Sequence, residues 1–334
     1  MSIHIEEQIS LAPFTTMRVG GNARFFARVN DVDDLKDAII FAREKSVPIF
    51  ILGGGSNTLF LGDGFSGLVI KIEIKGIACE GTRVTAGAGE MWDDVVRDAV
   101  SRNLWGIENL SLIPGTVGGA VAQNIGAYGV EARETIFSVL AFDTETMQIK
   151  TFSRDECEFG YRESFFKKNI NLIIVSATFE LAQHGTPRAD YEDVKKYFEE
   201  HKITVPTLSA IREAIVSIRT KKMPVPPIGT AGSFFKNPVV SAQKYESLKN
   251  EFPEIKAYDQ GDNTYKLSAA WLIDHVGKWR GVHRGDAGVH EKQALILVNY
   301  GNASAEEVLS LAREIKNDIN EKTGVTLEEE VVMM

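Results

Sequence analysis

Five glycines and three alanines crowd the eighteen residues from Leu112 to Gly129. A stretch this poor in bulky side chains cannot build a core of its own. It can bring backbone close to something flat, because no Cβ stands in the way. Pro114-Gly115 sets a turn near its start. A second glycine run, Leu52-Gly53-Gly54-Gly55-Ser56-Asn57, follows Pro48-Ile49-Phe50-Ile51-Leu52, which reads as a short buried strand. Consecutive amides in such a turn form a nest for phosphate; the plain alternative is a tight turn. Two loops of this kind suit a ligand with a pyrophosphate bridge, whereas a glycine-rich packing seam explains one more easily than both. Neither is a Walker loop, since no Lys-Ser or Lys-Thr follows the glycines. Gly87-Ala88-Gly89 begins like a dinucleotide fingerprint but has Trp92 where the third glycine belongs.

The apolar period predicts a helix over 32–46, with Val32, Leu35, Ala38, Ile39 and Ala42 on one face. Strands are expected at 68–74, 84–86, 136–143, 171–181 and 294–298, and helices at 91–101, 207–220 and 267–275. Residues 109–130 read as a long loop. The run Met223-Pro224-Val225-Pro226-Pro227-Ile228-Gly229 breaks any regular element and marks a domain boundary. Ser304-Ala305-Glu306-Glu307 is a capping box that starts a helix, and Gly324 can end it. Val325 to Met334 then reads as a terminal strand. Strands mixed with helices argue for α+β or α/β, and 334 residues suit two or three domains.

A formal net charge of -9 argues against general nucleic-acid binding, which draws on Lys and Arg. Cys79 and Cys157 form no CxxC pattern, and the histidines are scattered without HExxH, so no metal site is expected. No GxSxG elbow points to a hydrolase. No apolar stretch approaches the ~20 residues that span a bilayer, and Met1 to Ser10 does not read as a secretory signal. The expected location is the cytoplasm, with no membrane association.

The strand leading into Gly-Gly-Gly-Ser-Asn, followed by Ile113-Pro114-Gly115-Thr116-Val117-Gly118-Gly119 and Asn124-Ile125-Gly126-Ala127-Tyr128-Gly129, resembles the enolpyruvoylglucosamine reductase family. Three further segments match in order: Phe159-Gly160-Tyr161-Arg162-Glu163-Ser164, Gly232-Ser233-Phe234-Phe235-Lys236-Asn237-Pro238 and Leu327-Glu328-Glu329-Glu330-Val331. The likeness runs from about Pro13 to Val331. It implies an α+β fold: two FAD-binding subdomains of the vanillyl-alcohol oxidase and p-cresol methylhydroxylase type, with an α+β substrate-binding domain. The expected division is 1–67 with 325–334, then 68–218, then 219–324. It implies FAD, NADPH as co-substrate, and reduction of UDP-N-acetylglucosamine enolpyruvate to UDP-N-acetylmuramate for peptidoglycan. No His or Cys lies within 53–58 or 112–129, so FAD is expected to be noncovalent.

Hydride addition to an enolpyruvyl double bond leaves carbanion character beside a carboxylate, which must be stabilised and then protonated. The resemblance gives Arg162 to the charge, Ser233 to the proton and Glu330 to the enolate. A guanidinium suits a carboxylate because it forms two parallel hydrogen bonds. The alternatives are an ion pair of Arg162 with Glu163, a turn or cap at Ser233, and a solvated acidic tail around Glu330. Lys236 is a candidate cation near Ser233. Strand alternation puts Glu328 and Glu330 on one face and Glu329 on the other. Val332-Met333-Met334 is shorter than the family's usual tail.

The resemblance also assigns FAD contacts to Gly53, Gly54, Gly55, Ser56, Asn57, Pro114, Gly115, Thr116, Gly118, Gly119, Asn124, Gly126, Ala127, Tyr128 and Arg219. Substrate contacts fall to Tyr161, Tyr191, Lys222, Asn237 and Gln293, with Tyr191 closing over the diphosphate. Cations at a helix C-terminus and an aromatic anchor at a helix start are the alternatives for Lys222 and Tyr191. Another flavoenzyme of this fold, such as a sugar-lactone or alcohol oxidase, a nonflavin UDP-sugar transferase and a non-catalytic scaffold are the competing functions.

Overall fold

The computed structural model describes residues 3–334. The chain divides into two compact units. One comprises residues up to Ile9, Ala23–Gly54 and Phe65–Lys221; the other comprises Ser10–Asn22, Gly55–Gly64 and Lys222–Met334.

In the first unit, the strand Ile49–Leu52 runs parallel to Gly64–Ile72, with Ile49 opposite Leu68 and Leu52 opposite Lys71. Ile49–Leu52 lies at the edge of its sheet, and the helix Val32–Glu44 leads into it. Asp31 caps that helix by accepting the Asp34 amide at 2.8 Å, and Leu35, Ala38, Ile39 and Ala42 are its buried stripe. An antiparallel five-stranded sheet runs Gln148–Ser153, Ile136–Asp143, Leu172–Glu180, Arg83–Gly87, Ile77–Glu80. The helix Trp92–Ser101 begins beside this sheet. Its Trp92 is fully buried, edge-on to Phe179 at 5.5 Å, with Nε1 donating to the Leu110 carbonyl at 2.9 Å. Satisfying the indole N–H lets so large a side chain enter the core without a polar cost. A smaller cluster joins Val194 and Phe198 of Glu192–Glu200 to Ile211, Ala214, Ile215 and Ile218 of Leu208–Lys222.

The segment expected as loop at 109–130 contains a helix, Val117–Ala122. Gly118 and Gly119 disfavour a helix on propensity. Tertiary bonds override them: the Val117 amide donates to the Glu90 carbonyl and the Gly118 amide to Ala88, both at 2.9 Å. Val117, Ala120 and Val121 then bury one face.

In the second unit, a sheet runs Gly229–Ser233, Ile296–Asn299, Ala287–Val289, His283–Arg284. The helix Ala305–Thr323 covers a core with Val308, Leu311, Ala312, Ile315 and Ile319. Its capping box closes as expected, and Gly324 ends it at φ 63°. The helix expected over 267–275 is a short turn, Ala269–Trp271, continued by π-helix Leu272–Val276.

The terminal strand expected at 325–334 is extended but has no single ladder. The Lys236 amide bonds the Glu328 carbonyl, the Glu330 amide bonds the Phe234 carbonyl, and then Val332 turns to the Asn57 carbonyl. Only Val332–Met333 pairs as a strand, parallel to Thr58–Leu59. Alternation is legible in sequence; the switch from one partner to the next is not. No helix among the described residues is long and apolar enough to cross a membrane.

Candidate functional site

In the first unit the two glycine loops meet backbone to backbone. A Cβ on Gly54 would lie 2.5 Å from the Gly115 Cα, and one on Gly53 would lie 2.7 Å from Thr116 Oγ1. The seam therefore excludes side chains at both positions. Lys71, directly across the strand pair from Leu52, donates its amine to the Gly53 carbonyl. Burial pushes that amine below its ordinary pKa, with Glu73 opposing. The Trp92 amide holds the Gly115 carbonyl at 3.0 Å.

Thr116 Oγ1 is buried at this seam and finds no hydrogen-bond partner within the protein. A buried polar atom without a partner is costly, so it marks a place where a ligand group fits. Gly119, three residues on, is exposed, and a Cβ there would meet only Thr116 Oγ1, at 3.9 Å. An orphan hydroxyl, open glycine backbone and a cradle closed to side chains are what a flat cofactor with phosphates requires. The residues present fit FAD.

The far end of the second loop meets the Arg162 segment. Arg162 Nη2 donates to the Gly126 carbonyl at 2.7 Å and Nη1 to the Asn124 carbonyl at 3.5 Å. Its guanidinium lies 5.3 Å from the Tyr161 ring centroid. Arg162 sits at φ 55°, and Lys167 Nζ donates to its carbonyl at 3.0 Å. Asn124 braces the same corner: Nδ2 donates to Gly160 O at 2.8 Å and to Glu131 at 3.1 Å, and Oδ1 accepts the Arg133 amide at 3.0 Å. Its side chain thus serves the loop's own shape.

Tyr128 and Tyr191 pack edge to face at 5.3 Å, so a residue assigned to FAD touches one assigned to the substrate. Burial raises the Tyr128 pKa, against the hydrogen-bonded Arg219. Arg219 Nε also donates to the Leu112 carbonyl at 3.2 Å.

The second unit gathers Ser233, Glu330 and Asn57. Ser233 ends the strand Gly229–Ser233 and is exposed. The next residue, Phe234, is fully buried, and its carbonyl accepts the Glu330 amide at 2.8 Å. Asn57 Nδ2 donates to the Glu330 carbonyl at 3.0 Å. The register sorts the three glutamates. Glu329 takes both its oxygens to Lys316 Nζ, at 2.7 and 2.8 Å. Glu328 is exposed and lies 3.6 Å from Lys236 Nζ. Gly55, at φ 62°, would drive a Cβ into the Phe14 carbonyl. Asn237 Oδ1 accepts the Ala269 amide at 2.9 Å, and the Gln293 amide donates to the His290 carbonyl at 3.2 Å.

Four residues of these clusters carry no motif: Lys71, Asp93, Asn109 and Arg212. Asp93 reads in sequence as an ordinary first-turn acid, and only its distant partners reveal more. Asn109 Nδ2 bridges the carbonyls of Tyr128 and Arg188 at 3.1 and 2.9 Å.

A family model described as the C-terminal domain of UDP-N-acetylenolpyruvoylglucosamine reductase matches residues 224–334, and one described as an FAD binding domain matches 23–146. A protein of Pseudomonas syringae pv. syringae named UDP-N-acetylenolpyruvoylglucosamine reductase is 43% identical, over 99% of each chain. One of the same name from Paraburkholderia phytofirmans is 45% identical over 93% of this chain and 92% of its own. The crystal structure of UDP-N-acetylenolpyruvylglucosamine reductase from Thermus caldophilus superposes with a TM-score of 0.70 at 26% identity, covering 99% of this chain and 98% of that one. The 6-hydroxy-D-nicotine oxidase of Arthrobacter nicotinovorans shares the fold alone, with a TM-score of 0.51 at 14% identity over 98% and 87% of the two chains.

Proposed function

Because the chain belongs to the UDP-N-acetylenolpyruvoylglucosamine reductase family, a family of FAD-binding oxidoreductases, we propose that it reduces UDP-N-acetylglucosamine enolpyruvate to UDP-N-acetylmuramate at the expense of NADPH. The product is a peptidoglycan precursor, and the same reading places the reaction in the cytoplasm. FAD binding falls to 1–67, 68–218 and 325–334, and substrate binding to 219–324. The choice of NADPH over NADH follows the family resemblance.

Gly53, Gly54, Gly115, Thr116, Gly118 and Gly119 would hold FAD, with Tyr128 and Arg219 beside them. FAD bound there and reduced by NADPH would supply the hydride for the terminal carbon of the enolpyruvyl double bond. The chain's own part is electrostatic and protonic. Arg162 presents a permanent cation to the carboxylate on which charge develops. Ser233 gives its hydroxyl proton to the adjacent carbon, completing the saturated product. Glu330 shares a proton with the enolate. The observation that carries this assignment is the Glu330 amide on the Phe234 carbonyl at 2.8 Å, which supports Glu330 rather than its neighbours as the carboxylate next to Ser233. Lys222, Tyr161, Tyr191, Asn237 and Gln293 would bind the nucleotide sugar.

The test is the visible spectrum of purified, FAD-loaded protein under anaerobic NADPH, then with UDP-N-acetylglucosamine enolpyruvate. The expected result is a flavin band that bleaches with NADPH and returns with substrate. A band that bleaches and does not return would reject the substrate, and a chain that takes up no FAD would reject the reading.

A further inference from the structure

We propose that Asp93, backed by Arg212, is a positioning residue for cofactor binding: it holds Leu112 in a left-handed conformation so that Gly115 can close against Gly54. The proposal rests on the reading of the two glycine loops as the FAD cradle.

Leu112 is a poor residue for its place. Its φ is 58°, a region in which a Cβ crowds the following carbonyl. Its side chain is 36% exposed, so burial does not pin it there. Its peptide groups are pinned instead. The amide donates to Asp93 Oδ1 at 2.5 Å, and the carbonyl accepts Arg219 Nε at 3.2 Å. Both bonds involve a charged side chain, the stronger kind of hydrogen bond.

Asp93 is itself fixed. Arg212 Nη1 and Nη2 reach its two oxygens, each at 2.8 Å, a fork that sets the plane of the carboxylate. The pair is well shielded, with side chains 24% and 16% exposed. The preceding residue grips the other end of the same turn, since the Trp92 amide holds the Gly115 carbonyl at 3.0 Å. Trp92 is in turn anchored on the Leu110 carbonyl. Two consecutive residues at one helix start therefore hold Leu112 and Gly115, three positions apart. Gly115, at φ 116°, must stay where Gly54 can approach without a Cβ. If Leu112 relaxes to negative φ, the chain direction into Pro114 and Gly115 changes and the seam opens.

An Asp in the first turn of a helix also complements the helix dipole. That role would be indifferent to the conformation of Leu112, and the difference is testable. The measurement is the FAD dissociation constant of folded apoprotein, by flavin fluorescence. Asp93→Ala is expected to weaken FAD about 10-fold or more, the effect of losing one charged hydrogen bond. Asp93→Asn, which keeps an acceptor for the Leu112 amide, should lose less. Leu112→Gly removes the conformational cost, so Leu112→Gly in the Asp93→Ala background should return to within about 3-fold of wild type. Where Asp93→Ala does not accumulate as folded protein, Asp93→Leu, likewise without an acceptor, makes the same comparison with and without Leu112→Gly. Wild-type affinity in the variant that lacks the acceptor, or no recovery on adding Leu112→Gly, overturns the proposal while the cofactor reading stands. A wild-type chain that binds no FAD overturns both.

Discussion

A methyl group at Gly54 would sit 2.5 Å from the Gly115 Cα, whereas one at Gly119 would meet nothing nearer than Thr116 Oγ1 at 3.9 Å. Sequence assigns both glycines to the cofactor and cannot tell them apart. Gly54→Ala should overpack the seam, costing about 1–3 kcal/mol of stability and the FAD as well. Gly119→Ala should leave the apoprotein's melting temperature no lower than wild type, since Ala suits the helix Val117–Ala122 better than Gly, and should weaken FAD. Melting curves and flavin content together check the contrast. The same ambiguity covers the asparagines: the resemblance assigns Asn57, Asn124 and Asn237 to ligands, while in the structure their side chains bond protein groups. Motifs report which positions matter and not whether a side chain faces a ligand or braces the loop behind it. For Ser233 the chemistry decides. Ser233→Ala should accept electrons from NADPH at close to the wild-type rate in stopped flow, and lose about 100-fold or more in steady-state turnover, the usual size of a general-acid contribution. Near-normal turnover would remove Ser233 from the proton step.

Elements with a strong period were read well. The strand Ile136–Asp143 has the bounds expected of it, and the helix capped by Ser304 carries both halves of its capping box. Ser304→Ala should cost about 1 kcal/mol, seen as a lower urea midpoint at constant slope; no change would mean that Glu307 alone closes the helix start. Elements made by distant partners were not legible. The helix Val117–Ala122 exists through carbonyls of Ala88 and Glu90, and residues 328–332 take successive partners at Lys236, Phe234 and Asn57. Neither leaves a local trace. Asp93 is the same case, since its fork to Arg212 spans 119 positions.

For the molecule as a whole, ionisation gives a two-stage response to acid. His290 is buried, and burial lowers its pKa from 6.5. The unfolded chain therefore binds this proton first, and stability falls as pH drops below about 6.5. At Asp93 burial opposes the charge, but Arg212 and the Leu112 amide outweigh it, and the pKa lies below 3.8. Its contribution is complete above the unfolded value and is lost as pH falls through the folded one. Melting temperature against pH should thus decline gently below about 6.5 and steeply below about 4. A flat profile from 6.5 to 5 would mean that His290 is charged in the folded state. The large-scale feature that sequence concealed is the threading. The second unit is assembled from three separated stretches, although the Pro-rich run at 223–229 marks where the last begins.

That threading sets an order of events during synthesis. Asn57 belongs to the first fifth of the chain, but the carbonyl it holds is that of Glu330, 273 positions later. The Leu61 amide waits likewise for the Met334 carbonyl. A ribosome that has delivered only residues up to Lys221 has supplied every glycine of both loops, yet the stretch after Gly54 still lacks its neighbours. Nascent chains should therefore remain open to proteases around residues 55–64 until the final strand emerges. Quality control that samples this one short segment would read out whether residues 328–334 have reached their partners.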